Sequence, residues 1–217
     1  MKVMSSEKSI QILNRSHAKQ YEFVQSKSLS VAKGFVAHPE TFQWFPEHEI
    51  YPTLGAFHGD QLISVMRLEW LLSWPEVNAK MNSHFSHPKI KLPVAYLTKG
   101  GTLPEFMSLG LNSVLRYHAL KISCFWPVEY ILGTMIMGSS RVESMKQMGY
   151  EFSVNPVKWD GYYKSDENAL IGLLNLREKG RHALDYLEDK YIQLLLDYKP
   201  GFKHQDIKIK IPYRSVS

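Results

Sequence analysis

Val94–Ala119 reads VAYLTKGGTLPEFMSLGLNSVLRYHA, and this stretch decides the fold. It opens on an apolar run of strand length, residues 93–98, which Gly100 and Gly101 bound downstream. Such a run predicts a buried strand. From Leu111 onward the apolar side chains recur at the i, i+3, i+4, i+7 spacing of one helical face. The stretch therefore predicts a strand, a sharp turn and a helix.

The turn is built from small or φ-restricted residues, namely Pro104, Ser108 and Gly110. These residues let the backbone turn sharply and leave the first free amides of the helix exposed. The positive end of the helix dipole favours an anion there, by roughly 0.3–1 kcal/mol per interaction. An ordinary strand-to-helix connection has the same local sequence, so the order of the neighbouring segments has to decide between the two interpretations.

Those neighbours follow a recognisable order. Residues 54–71 form a predicted hairpin that turns at His58-Gly59-Asp60, and residues 128–137 form a further buried strand, followed by a short helix and the segment MGYEF at 148–152. In this order the chain resembles the GNAT superfamily of acyl-CoA-dependent N-acyltransferases over roughly residues 21–176. The resemblance implies an α/β fold with a mixed, twisted central sheet flanked by helices, and a phosphate-binding turn within the opening stretch.

Length and composition are compatible with one domain. The chain has 217 residues, 44% of them hydrophobic, and we expect a single domain over 1–217 with a core at about 21–176 and a C-terminal helical extension at about 177–217. Its single cysteine, Cys124, excludes an internal disulfide. Neither a signal peptide nor a membrane-spanning run of about 20 apolar residues is evident. We therefore expect a cytoplasmic protein.

The net charge of +5 favours acidic partners. The lysines are spread along the chain without a basic run interleaved with stacking aromatics, so nucleic acid is not expected as a partner. An anionic cofactor or an acidic acyl carrier protein suits the same charge. His84 and His87 lie in a predicted loop without a nearby carboxylate or cysteine, so we interpret them as solvated and expect no metal.

The first fifty residues carry two further patterns. The apolar spacing of residues 10–24 predicts a helix, and residues 38–52 are rich in aromatics and proline. Within the aromatic segment, Trp44 and Phe45 are either a lid on the core or a hydrophobic wall for a long acyl chain or an aromatic substrate. The strand that contains Arg67 resembles that of the autoinducer synthases and long-chain N-acyl amino acid synthases, which implies that Arg67 faces the substrate.

The resemblance also implies a donor site for acyl-CoA or acyl-phosphopantetheine. It places the pantetheine along the edge of the fourth strand and the pyrophosphate on the amides of the turn. Glu105 and Ser108 depart from the family pattern, which has a basic or neutral residue and a glycine there. The residues so implied are Leu97, Thr98 and Lys99 in the strand, Met107, Ser108, Leu109, Gly110 and Leu111 in the turn, and Ser140 after the fifth strand.

Acyl transfer to an amine needs a base for the ammonium proton and an acid for the leaving thiolate. The tyrosine that many GNAT enzymes use as the acid is replaced by Met145. The catalytic candidates are therefore Glu69, at the end of the third strand, Glu129, at the start of the fifth, and the Tyr96 hydroxyl. His118 falls on the apolar face of the central helix, where a core role is favoured over a catalytic one.

The C-terminal region predicts strands over 152–163 and 169–176, a helix over 177–198 and an edge strand over 207–212. The helix is an addition to the GNAT plan that either packs on the core or forms a homodimer contact. We expect an N-acyltransferase that moves a medium or long acyl group from a coenzyme A or carrier-protein thioester to a small-molecule amine such as an amino acid. The alternatives are a small-molecule acetyltransferase and a non-catalytic protein that binds acyl thioesters or lipids.

Overall fold

The computed structural model describes residues 7–31, 42–45, 49–81, 90–153, 157–158 and 168–209. Nine strands in these ranges form one mixed sheet in the order β6-β8-β5-β4-β3-β2-β1-β9, with β7 also paired to β8. The strands are β1 Lys8–Ile12, β2 Thr53–His58, β3 Gln61–Leu71, β4 Val94–Thr102, β5 Tyr130–Ile136, β6 Glu151–Phe152, β7 Val157–Lys158, β8 Asn168–Asn175 and β9 Lys199–Pro200. The helices are α1 Ala18–Ser30, α2 Trp74–Met81, α3 Leu111–Ser123, α4 Ser140–Gln147 and α5 Leu176–Asp197. Among the described helices, none combines the length and the apolarity needed to cross a membrane.

Helices cover both faces of the sheet. A Cβ atom built on Gly101 would meet Gln25 and Ser28 of α1 at 3.2 Å, whereas one built on Gly100 would meet Asn112 of α3 at 3.2 Å. Because neighbouring strand residues point to opposite faces, α1 and α3 lie on opposite sides of β4. Helix α2 adds its buried Val77 and Met81 to the cluster that contains Tyr96 and Leu132, and α5 packs on α3. This layering confirms the predicted α/β fold.

The sheet opens at its centre. The parallel strands β4 and β5 are paired over only three positions, from Ala95↔Ile131 to Leu97↔Gly133. Beyond these positions β4 continues to Thr102 and β5 to Ile136, and β5 stays paired with β8 while β4 stays paired with β3. We call the gap beyond Leu97 and Gly133 the β4–β5 cleft. One edge of β4 faces this cleft without a partner strand in the described part of the chain.

A β-bulge lies where β4 borders the cleft. Two residues of β4, Lys99 and Gly100, oppose Met66 of β3, so the register shifts by one between Val65↔Gly101 and Arg67↔Thr98. Lys99 takes a positive φ of 54°, which is uncommon for a residue other than glycine. The prediction that the strand ends before Gly100 is wrong, because the bulge absorbs the extra residue and pairing resumes to Thr102.

The sequence also mispredicts the N-terminal segment. Residues 10–24 do not form one helix, because β1 pairs antiparallel with β2 and a turn capped by Asn14 precedes α1. Ile10 in the strand and Tyr21 and Val24 in α1 are all fully buried, and together they imitate one helical face. Of the aromatic segment 38–52, residues 38–41 and 46–48 lie outside the described ranges.

The C-terminal helix is confirmed to within one residue, but the predicted edge strand is not found. Residues 207–209 are irregular, and the strand that joins the sheet edge here is β9, which pairs parallel with β1. Residues 210–212 lie outside the described part of the chain. So do His84 and His87, together with most of the predicted 152–163 strand.

Two histidines attach the C-terminal segment to α3. His118 Nδ1 lies 2.9 Å from His204 Nε2, and the two rings are stacked with a 13° interplanar angle. Burial, His204 and Lys121 lower the pKa of His118 to about 3, and burial together with Lys121 lowers the pKa of His204. Both imidazoles are therefore neutral in the folded protein at neutral pH, which confirms the core role expected for His118.

This pair makes the fold acid-sensitive. Since the unfolded chain binds protons below about pH 6.5 and buried His118 does not, stability is lost as the pH falls below that value. We expect the free energy of unfolding to fall by about 2 kcal/mol more between pH 7 and pH 5 in the wild type than in His118→Leu. Urea denaturation at both pH values measures this, with His182→Leu, which removes an exposed imidazole of α5, as the control. Parallel pH profiles for wild type and His118→Leu would contradict the assignment.

Candidate donor and acceptor site

The turn between β4 and α3 presents a row of backbone amides. Ser108 and Gly110 both take positive φ, 69° and 87°, and Gly110 caps α3. In the described part of the chain, the N–H groups of residues 108–112 meet no backbone acceptor. We call these five amides the amide cradle. Because they lie at the N-terminus of a helix, they suit a phosphate group.

The backbone of Ser108 resolves one departure from the family pattern. Ser108 stands where the family has a glycine, yet it adopts the left-handed conformation that a glycine favours. The path of the chain is therefore kept, and Ser108 is an exposed residue of the turn. Glu105, in the short helix before the turn, is also exposed. The negative charge of Glu105 opposes phosphate binding at this turn.

Helix α5 closes against the amide cradle, which sequence reasoning did not foresee. A Cβ atom on Gly110 would come within 2.6 Å of the Tyr191 ring and 3.2 Å of Leu194. Tyr191 itself has non-helical torsions, φ −126° and ψ 21°, and kinks α5 at this point. Gly110 is thus required both for its φ and for the close approach of Tyr191. A bulky residue at Gly110 would disturb α5 as well as any phosphate.

A second helix begins beside the same cleft. Strands β4 and β5 run parallel, and each leads into a helix, α3 and α4 respectively. Their helix N-termini therefore lie at the same end of the sheet, where ligands bind in many α/β folds. Ser140 is the first residue of α4, as the resemblance implies, but its side chain lies outside the described structure.

On the face covered by α1 and α2, three charged side chains form a charge cluster of Arg67, Glu69 and Lys80. Glu69 is fully buried and makes ion pairs with Arg67, from the same strand, and with Lys80 Nζ of α2 at 2.8 Å. Arg67 is only 5% exposed. The cluster holds two cations and one carboxylate, so it carries a net positive charge. Sequence reasoning named Arg67 and Glu69 but missed Lys80, which no motif marked.

Lys99 extends this positive region toward the cleft. Burial is the largest cause that lowers the pKa of its ammonium group to about 8, and the charges of Arg67 and Lys80 lower it further against the opposing effect of Glu69. Its carbonyl oxygen is turned out of the β ladder and accepts a hydrogen bond from Gln25 Nε2 at 2.7 Å. Helix α1 thus holds the bulge in place.

Tyr96 and Thr98 point to the same face as the charge cluster, since they pair directly with Glu69 and Arg67. Tyr96 is buried, and its hydroxyl lies 3.3 Å from Thr134 Oγ1 of β5, one residue past the last β4–β5 pair. The Tyr96 hydroxyl is therefore at the start of the cleft. Leu97 is buried on the opposite face of the sheet, so only its backbone can contribute to the cleft edge.

An aromatic pair borders the cluster. Trp44 packs edge-on against Tyr21 of α1, with ring centroids 5.2 Å apart. The pKa of Tyr21 is raised to about 12, mainly by burial, and Arg67 and Glu69 also act on it, so the ring pair lies next to the charge cluster. Phe45 is 40% exposed. Tyr21 is fully buried and Trp44 is partly buried against the same core, so Trp44 covers the core at this point, while Phe45 faces outward.

One catalytic candidate from the sequence, Glu129, is not brought to the cleft. Glu129 lies four residues before Gly133, about 13 Å along the strand at roughly 3.3 Å per residue, and pairs with Arg177 at 2.7 Å. Met145 is buried in the core, as expected for an apolar replacement of the family's tyrosine. Glu129 is thereby separated from Tyr96 and Glu69, and among the three catalytic candidates Glu69 is left as the carboxylate that lies opposite Tyr96.

Breaking the charge cluster should be costly. Glu69→Gln leaves Arg67 buried without its counter-charge, and we expect a loss of about 3–5 kcal/mol in the free energy of unfolding. Glu129→Gln is the matched control, because its partner Arg177 is 74% exposed and the change should cost under about 1 kcal/mol. Chemical denaturation of both variants compares them. Similar losses for the two would show that the cluster does not stabilise the fold.

By sequence, the chain matches no family model and no curated protein. Its structure is similar to FeeM, an N-acyl amino acid synthase from uncultured soil microbes, with a TM-score of 0.61 and 13% identity over 82% of this chain and 97% of FeeM. NAA60 from Arabidopsis thaliana in complex with acetyl-CoA gives a TM-score of 0.56 at 14% identity over 78% of this chain and 99% of NAA60. A GNAT-family protein from Desulfovibrio desulfuricans gives 0.53 at 10% identity, over 78% and 99% of the two chains. The chain therefore has the GNAT fold.

Proposed function

We propose that this protein is an N-acyltransferase that transfers a medium or long acyl group from a thioester to a primary amine such as an amino acid. The observation that carries the proposal is the β4–β5 cleft, which has a free strand edge on one side and the amide cradle at its end. The pantetheine arm of a thioester donor carries amide groups that can pair with a free strand edge, and the pyrophosphate of coenzyme A, or the phosphate of a carrier protein's phosphopantetheine, suits amides at a helix N-terminus.

The charge cluster supports an acceptor that carries a carboxylate as well as an amine. Arg67 and Lys80 outnumber the single carboxylate of Glu69, with which both form ion pairs on this face of the sheet. Arg67 is buried and shares its counter-charge with Lys80, so an anionic group of a ligand can balance the remaining positive charge. An amino acid brings such a group. The similarity to FeeM, named as an N-acyl amino acid synthase, supports the same choice.

Trp44, which is only partly buried, supports a longer acyl group over acetyl, since its ring adds apolar surface on this side of the sheet. The donor is coenzyme A or an acyl carrier protein, and the chain's net charge of +5 suits either one. Acetyl transfer is the second candidate, and the similarity to NAA60, whose structure contains acetyl-CoA, favours it.

The acyl chain length is tested by ligand-induced stabilisation. A ligand present at a hundred times its dissociation constant stabilises a protein by about 2.7 kcal/mol, so thermal shifts with coenzyme A, acetyl-CoA and dodecanoyl-CoA can be compared directly. We expect the largest shift with dodecanoyl-CoA. Equal shifts for the two acyl-CoA ligands would favour acetyl transfer. The absence of any shift would contradict a coenzyme A donor.

The amide cradle is tested at Leu109, which is 52% exposed and can therefore be changed without disturbing the core. Leu109→Asp places a negative charge next to the amides, and we expect it to weaken coenzyme A binding about tenfold, or ~1.4 kcal/mol. Leu109→Asn is the matched control of nearly equal shape and should bind as the wild type does. Titration calorimetry gives both affinities. Equal affinities for the two variants would place the phosphates elsewhere.

A further inference from the structure

Lys99 occupies a position that the proposed function has not yet used. It is the second residue past Leu97, the last β4 residue paired with β5, and so it borders the β4–β5 cleft. We propose that Lys99 is the general base that removes the proton from the acceptor's ammonium group. This inference rests on the proposed acyl transfer and names a catalytic residue for it.

The backbone at Lys99 is held in a costly conformation. A positive φ of 54° is rare for a residue with a side chain, and strain of this kind persists only where the surroundings impose it. Here the surroundings are the bulge opposite Met66 and the hydrogen bond from Gln25 Nε2 to the Lys99 carbonyl oxygen. A glycine would meet the same backbone need without strain. The presence of a lysine therefore points to a use for its side chain.

The surroundings of the side chain favour its neutral form. Arg67 of β3 and Lys80 of α2 are cations that act on Lys99, and both already share the carboxylate of Glu69. Tyr21 of α1 borders the same group of charges. Burial and the two cations lower the pKa of Lys99 to about 8. An appreciable fraction of the Lys99 side chains is therefore deprotonated at neutral to mildly basic pH.

The other candidate bases fit this role less well. Glu69 is fully buried between Arg67 and Lys80. Glu129 pairs with Arg177 at the far end of β5. His118 is engaged with His204 on the opposite side of the sheet, where α3 lies. The Tyr96 hydroxyl also lies at the start of the cleft, 3.3 Å from Thr134 Oγ1, but a hydroxyl suits the acid that protonates the leaving thiolate better than the base. Lys99 borders the cleft as well, and its lowered pKa suits the base.

The proton balance is as follows. The neutral Lys99 amine takes one proton from the acceptor ammonium, and the resulting free amine attacks the thioester carbonyl carbon. The C–N bond forms, the C–S bond breaks, and the second proton of the nitrogen passes to the leaving sulfur, so the products are an amide and a thiol. Lys99 then releases its proton to solvent and returns to the starting state.

Three variants separate a base from a mere cation. Lys99→Met removes the amine, Lys99→Arg keeps a permanent charge, and Lys99→Gly removes the side chain while relieving the backbone strain. Lys91→Met, which removes an exposed lysine just before β4, is the control. With dodecanoyl-CoA and a mixture of the common amino acids, we expect all three Lys99 variants to lose roughly 10²–10⁴-fold in single-turnover rate while binding dodecanoyl-CoA as the wild type does. Lys99→Gly should melt no lower than the wild type.

The pH profile adds a readout that a structural role would not move. The wild-type rate should rise with pH and level off above about pH 8, as the Lys99 amine becomes neutral. Full activity in Lys99→Arg would overturn the proposal. A second result would also overturn it: the Lys99 variants lose dodecanoyl-CoA binding but keep the wild-type rate at saturating donor. That result would assign Lys99 to the donor site instead.

A measurement without turnover keeps this proposal distinguishable from the proposed function. Between about pH 8 and pH 10.5 the unfolded chain still holds the lysine proton that folded Lys99 has released, so wild-type stability should rise with pH relative to Lys99→Met. If the stability difference between the wild type and Lys99→Met does not change with pH, the assignment of Lys99 as the base is overturned, even if dodecanoyl-CoA binds. A rising difference in a protein that binds neither acyl-CoA nor an acyl carrier protein overturns the proposed function, and the role of Lys99 as its base falls with it.

Discussion

The structure depends on the short length over which the parallel strands β4 and β5 are paired. β4 and β5 share three residue pairs, after which each follows its other neighbour in the sheet. A strand edge inside a sheet normally has a partner, and an edge without one is a ready template for another extended chain. The divergence thus converts the centre of a sheet into a binding cleft. Both helix N-termini that follow these strands lie at that cleft, which adds favourable sites for negative charge.

The bulge in β4 links the cleft to the charges on one face of the sheet. It shifts the register by one residue and exposes the Lys99 carbonyl to Gln25 of α1. Arg67, Glu69 and Lys80 lie on the same face, where removing water strengthens every charge interaction. The site is therefore an arrangement of one carboxylate among several cations next to a strand edge. Such an arrangement suits a substrate that is itself charged.

Much of the fold could be predicted from local sequence. The turn at Gly59 has a positive φ of 57°, and the helix expected over 177–198 is found as α5 at 176–197. The N-terminal strand was missed because Ile10 and α1 residues happen to fall at helical spacing across a turn. Strand pairing with β2 is a long-range contact, which no local pattern records.

The site was less predictable for the same reason. Arg67 could be named from the resemblance of its strand and Glu69 as a carboxylate at the end of the third strand, but Lys80 joins them only through tertiary packing. Glu129 was equally plausible in the sequence, yet its position along β5 places it away from the cleft. The bulge at Lys99 and the approach of Tyr191 to Gly110 both arise from backbone geometry that the residue types alone do not specify.

Hydrogen exchange with mass spectrometry, with and without dodecanoyl-CoA, tests most directly whether the β4–β5 cleft and the amide cradle bind the donor. If they do, peptides that cover β4 and residues 108–112 become protected together on ligand addition, because the β4 amides that face the cleft gain a partner and the cradle amides gain phosphate acceptors. Protection confined to other segments, or none in these two at a saturating ligand concentration, would contradict the account.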